Sequence, residues 1–180
     1  VSQYVGSGLG SLWMLIQPVV MITVFWFVFS MGFKVKPTND VPFVVWLTAG
    51  LAPWFLFSAI VNGSAAVVVH HSHLIKQTIF FSQLLPVVKI FSSLVAHAVF
   101  LVILFCLIVL QGIAVDIWFL QVLYYLFCLV VLSLGISWLF SALYVFLRDI
   151  GQIVGVMLQV GFWLTPVFWD IEMMPPKIQL

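Results

Sequence analysis

Apolar residues fill this chain in long blocks, and polar residues are confined to the short stretches between them. Residues 12–33 carry no charge, enough for one helix across a bilayer core that takes about 20 residues. Gln17-Pro18 lies near the start of this block, where proline removes a donor and predicts a bend. Lys34, Lys36, Pro37, Thr38, Asn39 and Asp40 form the first loop. The second block, residues 42–69, holds Gly50 and Pro53-Trp54 and predicts a kinked or split helix. Asn62, Gly63 and Ser64 near its end suit a helix–helix contact better than lipid. A third helix opens at Pro86, a favoured first-turn position, and runs to about residue 111, with a turn around Gly112 and Asp116. The fourth block, residues 117–147, exceeds the length of one span and predicts tilt or a bend near Gly135. Arg148-Asp149 closes it. Asp149 with Gln152 three residues on resembles a capping box that starts a fifth helix, which Pro166 stops or bends. DIEMMPPKIQL then forms a polar segment with no sixth span after it.

One polar stretch stands apart, residues 70–89, HHSHLIKQTIFFSQLLPVVK. His70, His71, Ser72, His73, Lys76, Gln77, Ser82 and Gln83 alternate with Leu74, Ile75, Ile79, Phe80, Leu84 and Leu85. That mixture is too polar for hydrocarbon and too apolar for a free loop. It reads either as a short helix at the membrane surface with an apolar side for a partner, or as a plain connecting loop.

Composition settles the class. Hydrophobic residues make up 65% and charged residues 6%, against roughly 45–50% and about 25% in soluble domains. The expected fold is an all-α membrane protein, a polytopic helical bundle with five transmembrane helices visible. A net charge of +1 without a basic run gives nothing to track a nucleic acid. Cys106 and Cys128 lie inside apolar blocks and read as small hydrophobes rather than a disulfide or metal pair. The first block lacks a basic leader and is too long for the core of a cleavable signal. Sidedness is a tie: Lys76, Lys89 and Arg148 fall on one side, Lys34, Lys36 and Lys177 on the other.

No GxxxxGK[ST] loop is present, so any ATP belongs to another chain, and no catalytic constellation stands out. Charges gather at block boundaries, whereas ion-coupled carriers bury ionisable groups at mid-membrane. His97, deep in the third block, reads as a neutral core histidine before a proton relay. His70, His71 and His73 have no carboxylate or cysteine beside them, which favours a partner contact over a metal. Aromatics are dense: 18 Phe, 8 Trp and 4 Tyr, many in the first two blocks. Interfacial belts and lipid-facing Phe account for most of them. A second reading is a wall of flat faces that stack on sugar rings, with Trp26, Trp46, Trp54 and Phe55 as the candidate path.

Four segments in order, YVGSGLGSLWMLIQPVVMITVFWFVFSMGFKVK, PFVVWLTAGLAPWFLFSAIVNG, HLIKQTIFFSQLLPVVKIFSSL and LRDIGQIVGVMLQVGFWLTPVFW, resemble successive blocks of the type-2 ABC exporter permeases. The branch they resemble exports polysaccharides of the O-antigen, capsule or teichoic-acid kind. The resemblance implies six helices per subunit, a homodimeric pore and two separate ATPase subunits that hold ATP and magnesium. This chain would then bind no cofactor itself. It further implies a bacterial inner membrane, a lipid-linked polysaccharide as substrate, and a cytoplasmic side for His70–Pro86, which breaks the tie in charge. Leu74, Ile75, Lys76 and Phe80 become the coupling helix that docks on the ATPase, and Arg148 and Asp149 the family's short cytoplasmic turn. LTPVFW resembles the start of the periplasmic gate region. Two departures stand out. Phe80-Phe81 replaces the family's common Phe-Pro, and the sixth helix and a basic N-terminal helix are missing, so residues 1–180 resemble an incomplete single permease domain. The alternatives are a drug- or lipid-exporting relative, and a helical channel or scaffold subunit without energy coupling.

Overall fold

The computed structural model describes residues 12–32, 41–70 and 83–166. They hold six α-helices: α1 (Trp13–Trp26), α2 (Phe43–Ala65), α3 (Val67–His70), α4 (Leu84–Leu110), α5 (Gln121–Phe146) and α6 (Ile150–Leu164). A π-helical turn (Phe27–Gly32) extends α1, and a 3-10 turn (Ile117–Leu120) leads into α5. Four stretches are long and apolar enough to cross a membrane: Leu15–Gly32, Phe43–Ala65, Leu84–Leu110 and Ile117–Phe146. Ile150–Leu164 is a shorter apolar helix. The protein is an all-α, multi-pass membrane bundle.

Several hydroxyl groups are satisfied locally, whereas those of Ser58, Ser64, Ser93 and Ser137 are buried without a hydrogen-bond partner among the described residues. Thr23, Thr48, Ser133 and Thr165 each donate to the carbonyl four residues back, at 2.7–2.8 Å. In hydrocarbon, where no water can take the proton, this back-bonding makes a polar side chain tolerable. Helix α4 ends at Gly112, whose φ of 68° is the left-handed conformation that suits glycine. Gly112 N–H donates to the Val109 carbonyl and Ile113 N–H to the Ile108 carbonyl, at 3.1 and 3.2 Å. That is the Schellman pattern, which satisfies the last carbonyls of a helix. Asp116 then opens the next element, its carboxylate accepting from Ile117 N–H at 2.6 Å.

Neither Pro18 nor Pro53 splits its helix: α1 continues through the first and α2 through the second. Each proline forfeits one backbone bond, a local loss that the rest of a long helix in lipid outlasts. The first span also carries an irregularity at the π-helical turn after Trp26. Helix α4 starts at Leu84, so Pro86 lies inside its first turn rather than at its opening. Helix α5 is unbroken at Gly135. Its 26 residues extend about 39 Å at 1.5 Å each, beyond a ~30 Å core, so tilt or an emergent end takes up the excess.

The chain forms two compact units, one of Val1–Ala52, Val99–Ala114 and Val160–Leu180, the other of Pro53–Ala98 and Val115–Gln159. In the first, Leu47, Thr48 and Leu51 are fully buried on α2. Aromatic rings run in a chain from Phe162 to Phe25, Phe29, Phe43 and Trp46, with centroids 5.7–6.5 Å apart. These spacings fall in the range where tilted and offset pairs attract. In the second unit Leu56, Ile60 and Ile90 form a buried core, packed by Leu94 of α4 and by Leu126, Leu129, Val130 and Leu134 of α5. Ser133, Ser137 and Ser141 lie one turn apart on α5 and are all buried. Lipid tails are as apolar as leucine, so close packing rather than exclusion of water must hold such helices, and small residues permit it.

Candidate functional site

The turn between α5 and α6 carries two of the residues singled out in the sequence, Arg148 and Asp149, both exposed. Backbone bonds fix it: Leu147 N–H to Leu143 O at 3.0 Å, Ile150 N–H to Leu147 O at 3.2 Å, Ile153 N–H to Asp149 O at 3.0 Å. Helix α6 begins directly after Asp149, where the capping-box pattern predicted a start. The Tyr144 ring lies over Gly151, so that a Cβ there would come 2.9 Å from Tyr144 Cε2. The turn thus presents one cation and one anion on a braced scaffold, a geometry suited to contacting a protein surface.

A second feature lies on α5 itself. The Trp138 indole N–H donates to the backbone carbonyl of Gln83, 3.0 Å away and 55 residues distant in sequence. Ser141 in turn donates to the Trp138 carbonyl at 3.1 Å. Trp138, Ser141, Ala142 and Val145 line an open cavity of about 470 Å³ together with Val68 of α3 and Gln83. Val68 and Gln83, 15 residues apart in sequence, thus line the same cavity. Leu74, Ile75, Lys76 and Phe80, the expected docking residues, lie outside the described residues, as do His71 and His73.

Lys89, a turn and a half into α4, is half-buried, and its side chain passes over Gly63 of α2. His97 is buried two turns further along the same helix. Cys106 and Cys128 are free and exposed.

The candidate aromatic path divides between the units. Trp26 and Trp46 belong to the first, Trp54 and Phe55 to the second. All four are half-buried. Trp46 ends the ring chain described above, and Trp54 pairs with Phe57 at 6.0 Å. These pairings give both indoles a packing role whatever else they touch.

The profile of the ABC-2 type transporter family matches residues 1–180, the whole chain. This chain belongs to that family. As such it is a membrane subunit of an ABC exporter, a permease rather than the hydrolytic component. Three relatives share the name O-antigen export system permease protein RfbA. Two, from Klebsiella pneumoniae, are 24% and 23% identical over 176 residues, covering 97% of this chain and 67% of theirs. One from Myxococcus xanthus is 28% identical over 175 residues, covering 95% of this chain and 65% of its own length. The permease chain thus spans about two thirds of the length of these relatives.

Sequence reasoning passed over Trp138 in the permease, treating the fourth block as a plain span. The available signal was Ser133, Ser137 and Ser141 at four-residue spacing, which marks a helix face meant for protein rather than lipid. Trp138 follows directly on the middle serine.

Proposed function

We propose that this permease exports a polysaccharide, carried as a lipid-linked chain of the O-antigen, capsule or teichoic-acid type, across the bacterial inner membrane. It acts as a homodimer, and ATP with magnesium is bound and hydrolysed on separate ATPase subunits. Residues 71–82 and the Arg148–Asp149 turn face the cytoplasm and receive the ATPase. The observation that carries this reading is family membership over the whole chain joined to relatives that are named O-antigen export permeases. Two features support it. Lys89 is the one Asp, Glu, Lys or Arg within the described helices, which suits energy supplied from outside the membrane better than an ion relay. The spans are also rich in half-buried rings that offer flat, repeated and individually weak faces to a sliding sugar chain.

Docking of a short helix into a groove relies on a few apolar anchors, so a carboxylate at Leu74 or Ile75 would sit in a desolvated contact. In the full-length protein, Leu74→Asp and Ile75→Asp should insert normally yet fail to co-purify the ATPase. The same strains should lose surface polysaccharide. Normal recovery of the complex with both variants would refute the coupling role of this segment. Export of a drug or a lipid with no polysaccharide defect in a deletion strain would refute the substrate class.

A further inference from the structure

We propose that Lys89 and Asn62, at the Gly63 notch, hold the phosphate of a membrane lipid in the leaflet that meets the start of α4. The site goes beyond the exporter reading, and only the identity of the lipid rests on it. Lys89 is the one Asp, Glu, Lys or Arg within the described helices, and an ammonium inside a span needs an anion or water for its three donors. The sequence holds no Asp or Glu from Val41 to Val115. Among the described residues the carboxylates are those of Asp116 and Asp149. Asp116 lies past the far end of α4, about 30 Å of helix rise or more from Lys89. Asp149 lies beyond the end of α5, further out than Trp138, whose indole already reaches Gln83 before α4 starts. Neither can serve as the counter-ion.

The surroundings select a lipid phosphate as the anion. The lysine stem crosses Gly63, and both Gly63 and its neighbour Asn62 are exposed. Lys89 itself is half-buried, the division expected of a lysine that covers its methylenes and keeps its charged head in polar surroundings. Five residues of α4 precede it, about 7.5 Å of rise, so its head stands near the membrane surface and not at mid-span. A phosphate at that depth offers several charged acceptor oxygens to the ammonium and to the two amide donors of Asn62. Basic groups between spans hold headgroups in this way. Val88 beside the lysine is exposed, as are Phe91 and Val95 deeper along α4. Acyl chains can lie on that apolar surface, which gives a lipid a hold that a free phosphate ion lacks. The glycine is part of the site because a side chain at position 63 would occupy the path of the lysine stem.

The test uses the full-length protein with its ATPase. Native mass spectrometry follows a titration with phosphatidylglycerol, and with diacylglycerol of the same acyl chains, which has no phosphate. Wild type should bind phosphatidylglycerol in preference to diacylglycerol. Lys89→Gln should bind it about fivefold more weakly, the weight of one basic residue at a membrane surface. Lys89→Arg keeps the charge and should retain most of the affinity. Gly63→Leu also keeps the charge but fills the notch, and should lose as much as Lys89→Gln; if it does not fold, the Gln and Arg variants decide. Equal affinity in wild type and Lys89→Gln overturns the site and leaves the exporter reading standing. Equal losses in Lys89→Gln and Lys89→Arg overturn it, because charge would not be what binds. Undiminished affinity in folded Gly63→Leu overturns it too, since only a diffuse attraction would remain. The source of the lipid is read from the complex purified from cells that make the polysaccharide and from cells in which its assembly is deleted. A Lys89-dependent lipid in both preparations supports the site with an ordinary anionic headgroup as its ligand. One found in the producing cells alone supports it with the lipid that carries the exported chain.

Discussion

The Lys89 side chain lies across Gly63: a Cβ placed on Gly63 would meet Lys89 Cε, with Nζ 2.9 Å and Cδ 3.2 Å away. The absence of a side chain on α2 is thus matched to the stem of a lysine on α4. A lysine inside a span can lay its methylenes along a neighbouring helix and direct its ammonium toward the headgroups, and a glycine notch gives the stem its path.

This pairing predicts a specific non-additivity. Alanine at Gly63 gains helix propensity of about 1 kcal/mol but crowds the lysine stem, which is flexible and yields part of the way. Gly63→Ala alone should therefore be close to neutral. In a Lys89→Ala background the crowding is gone, and the same change should stabilise, giving a coupling of about 1 kcal/mol between the two sites. Denaturant titration of the four purified proteins in detergent measures it. Strict additivity would show that the lysine stem does not rest on this glycine.

The turn at Arg148 and Asp149 yields a second prediction through Gly151. A Cβ there would sit 2.9 Å from Tyr144 Cε2 and 3.6 Å from Cδ2, which are ring atoms rather than the end of a pliant chain. Gly151→Ala should cost about 1–3 kcal/mol and displace the turn. Tyr144→Leu should relieve the strain, whereas Tyr144→Phe keeps the offending ring edge and should not. If the turn touches the ATPase, Gly151→Ala will also reduce its co-purification, and the Tyr144→Leu, Gly151→Ala double variant will restore it. Equal stability of wild type and Gly151→Ala would mean that the ring moves aside freely.

Span positions were legible because hydrocarbon excludes charge, so charge-free runs mark them almost directly. Residues 117–147 became a stretch from Ile117 to Phe146, and the block from residue 42 became α2 and α3 with a turn at Ala66. Pro53 does not split α2, because in lipid an opened helix has nothing to solvate its freed backbone groups. The π-helical turn at Phe27–Gly32 left no mark in a pattern of hydrophobicity, since every residue there suits a membrane equally in either helix form. The polar stretch at residues 70–89 was found, and its last six residues proved to be the start of α4. Trp138 was not found, because what distinguishes it is a backbone carbonyl 55 residues away, and no composition or period encodes that contact.

The aromatic residues support the last prediction. Trp46 packs on Phe43 with the rings tilted by 32° at the end of a ring chain, and Trp54 pairs with Phe57, so each has a structural partner on its own helix. Truncation of such a side chain to alanine would cost about 3–5 kcal/mol and would confuse folding with transport. Leucine and phenylalanine are the informative replacements. Both remain apolar, but only phenylalanine keeps a face on which a sugar ring stacks. For a residue that merely packs, Trp→Leu and Trp→Phe should give similar export at matched expression. For a residue on the sugar path, Trp→Leu should lower export and Trp→Phe should preserve more of it. We expect the second pattern at Trp54, half-buried beside Pro53 in the second unit, and a weaker one at Trp46, whose ring is engaged by Phe43. Trp26, half-buried where α1 passes into the π-helical turn, should fall between them. Export of labelled polysaccharide at matched membrane levels decides the matter. Equal export by the leucine and phenylalanine variants at all three positions would leave the rings as packing and remove the stacking wall from the mechanism.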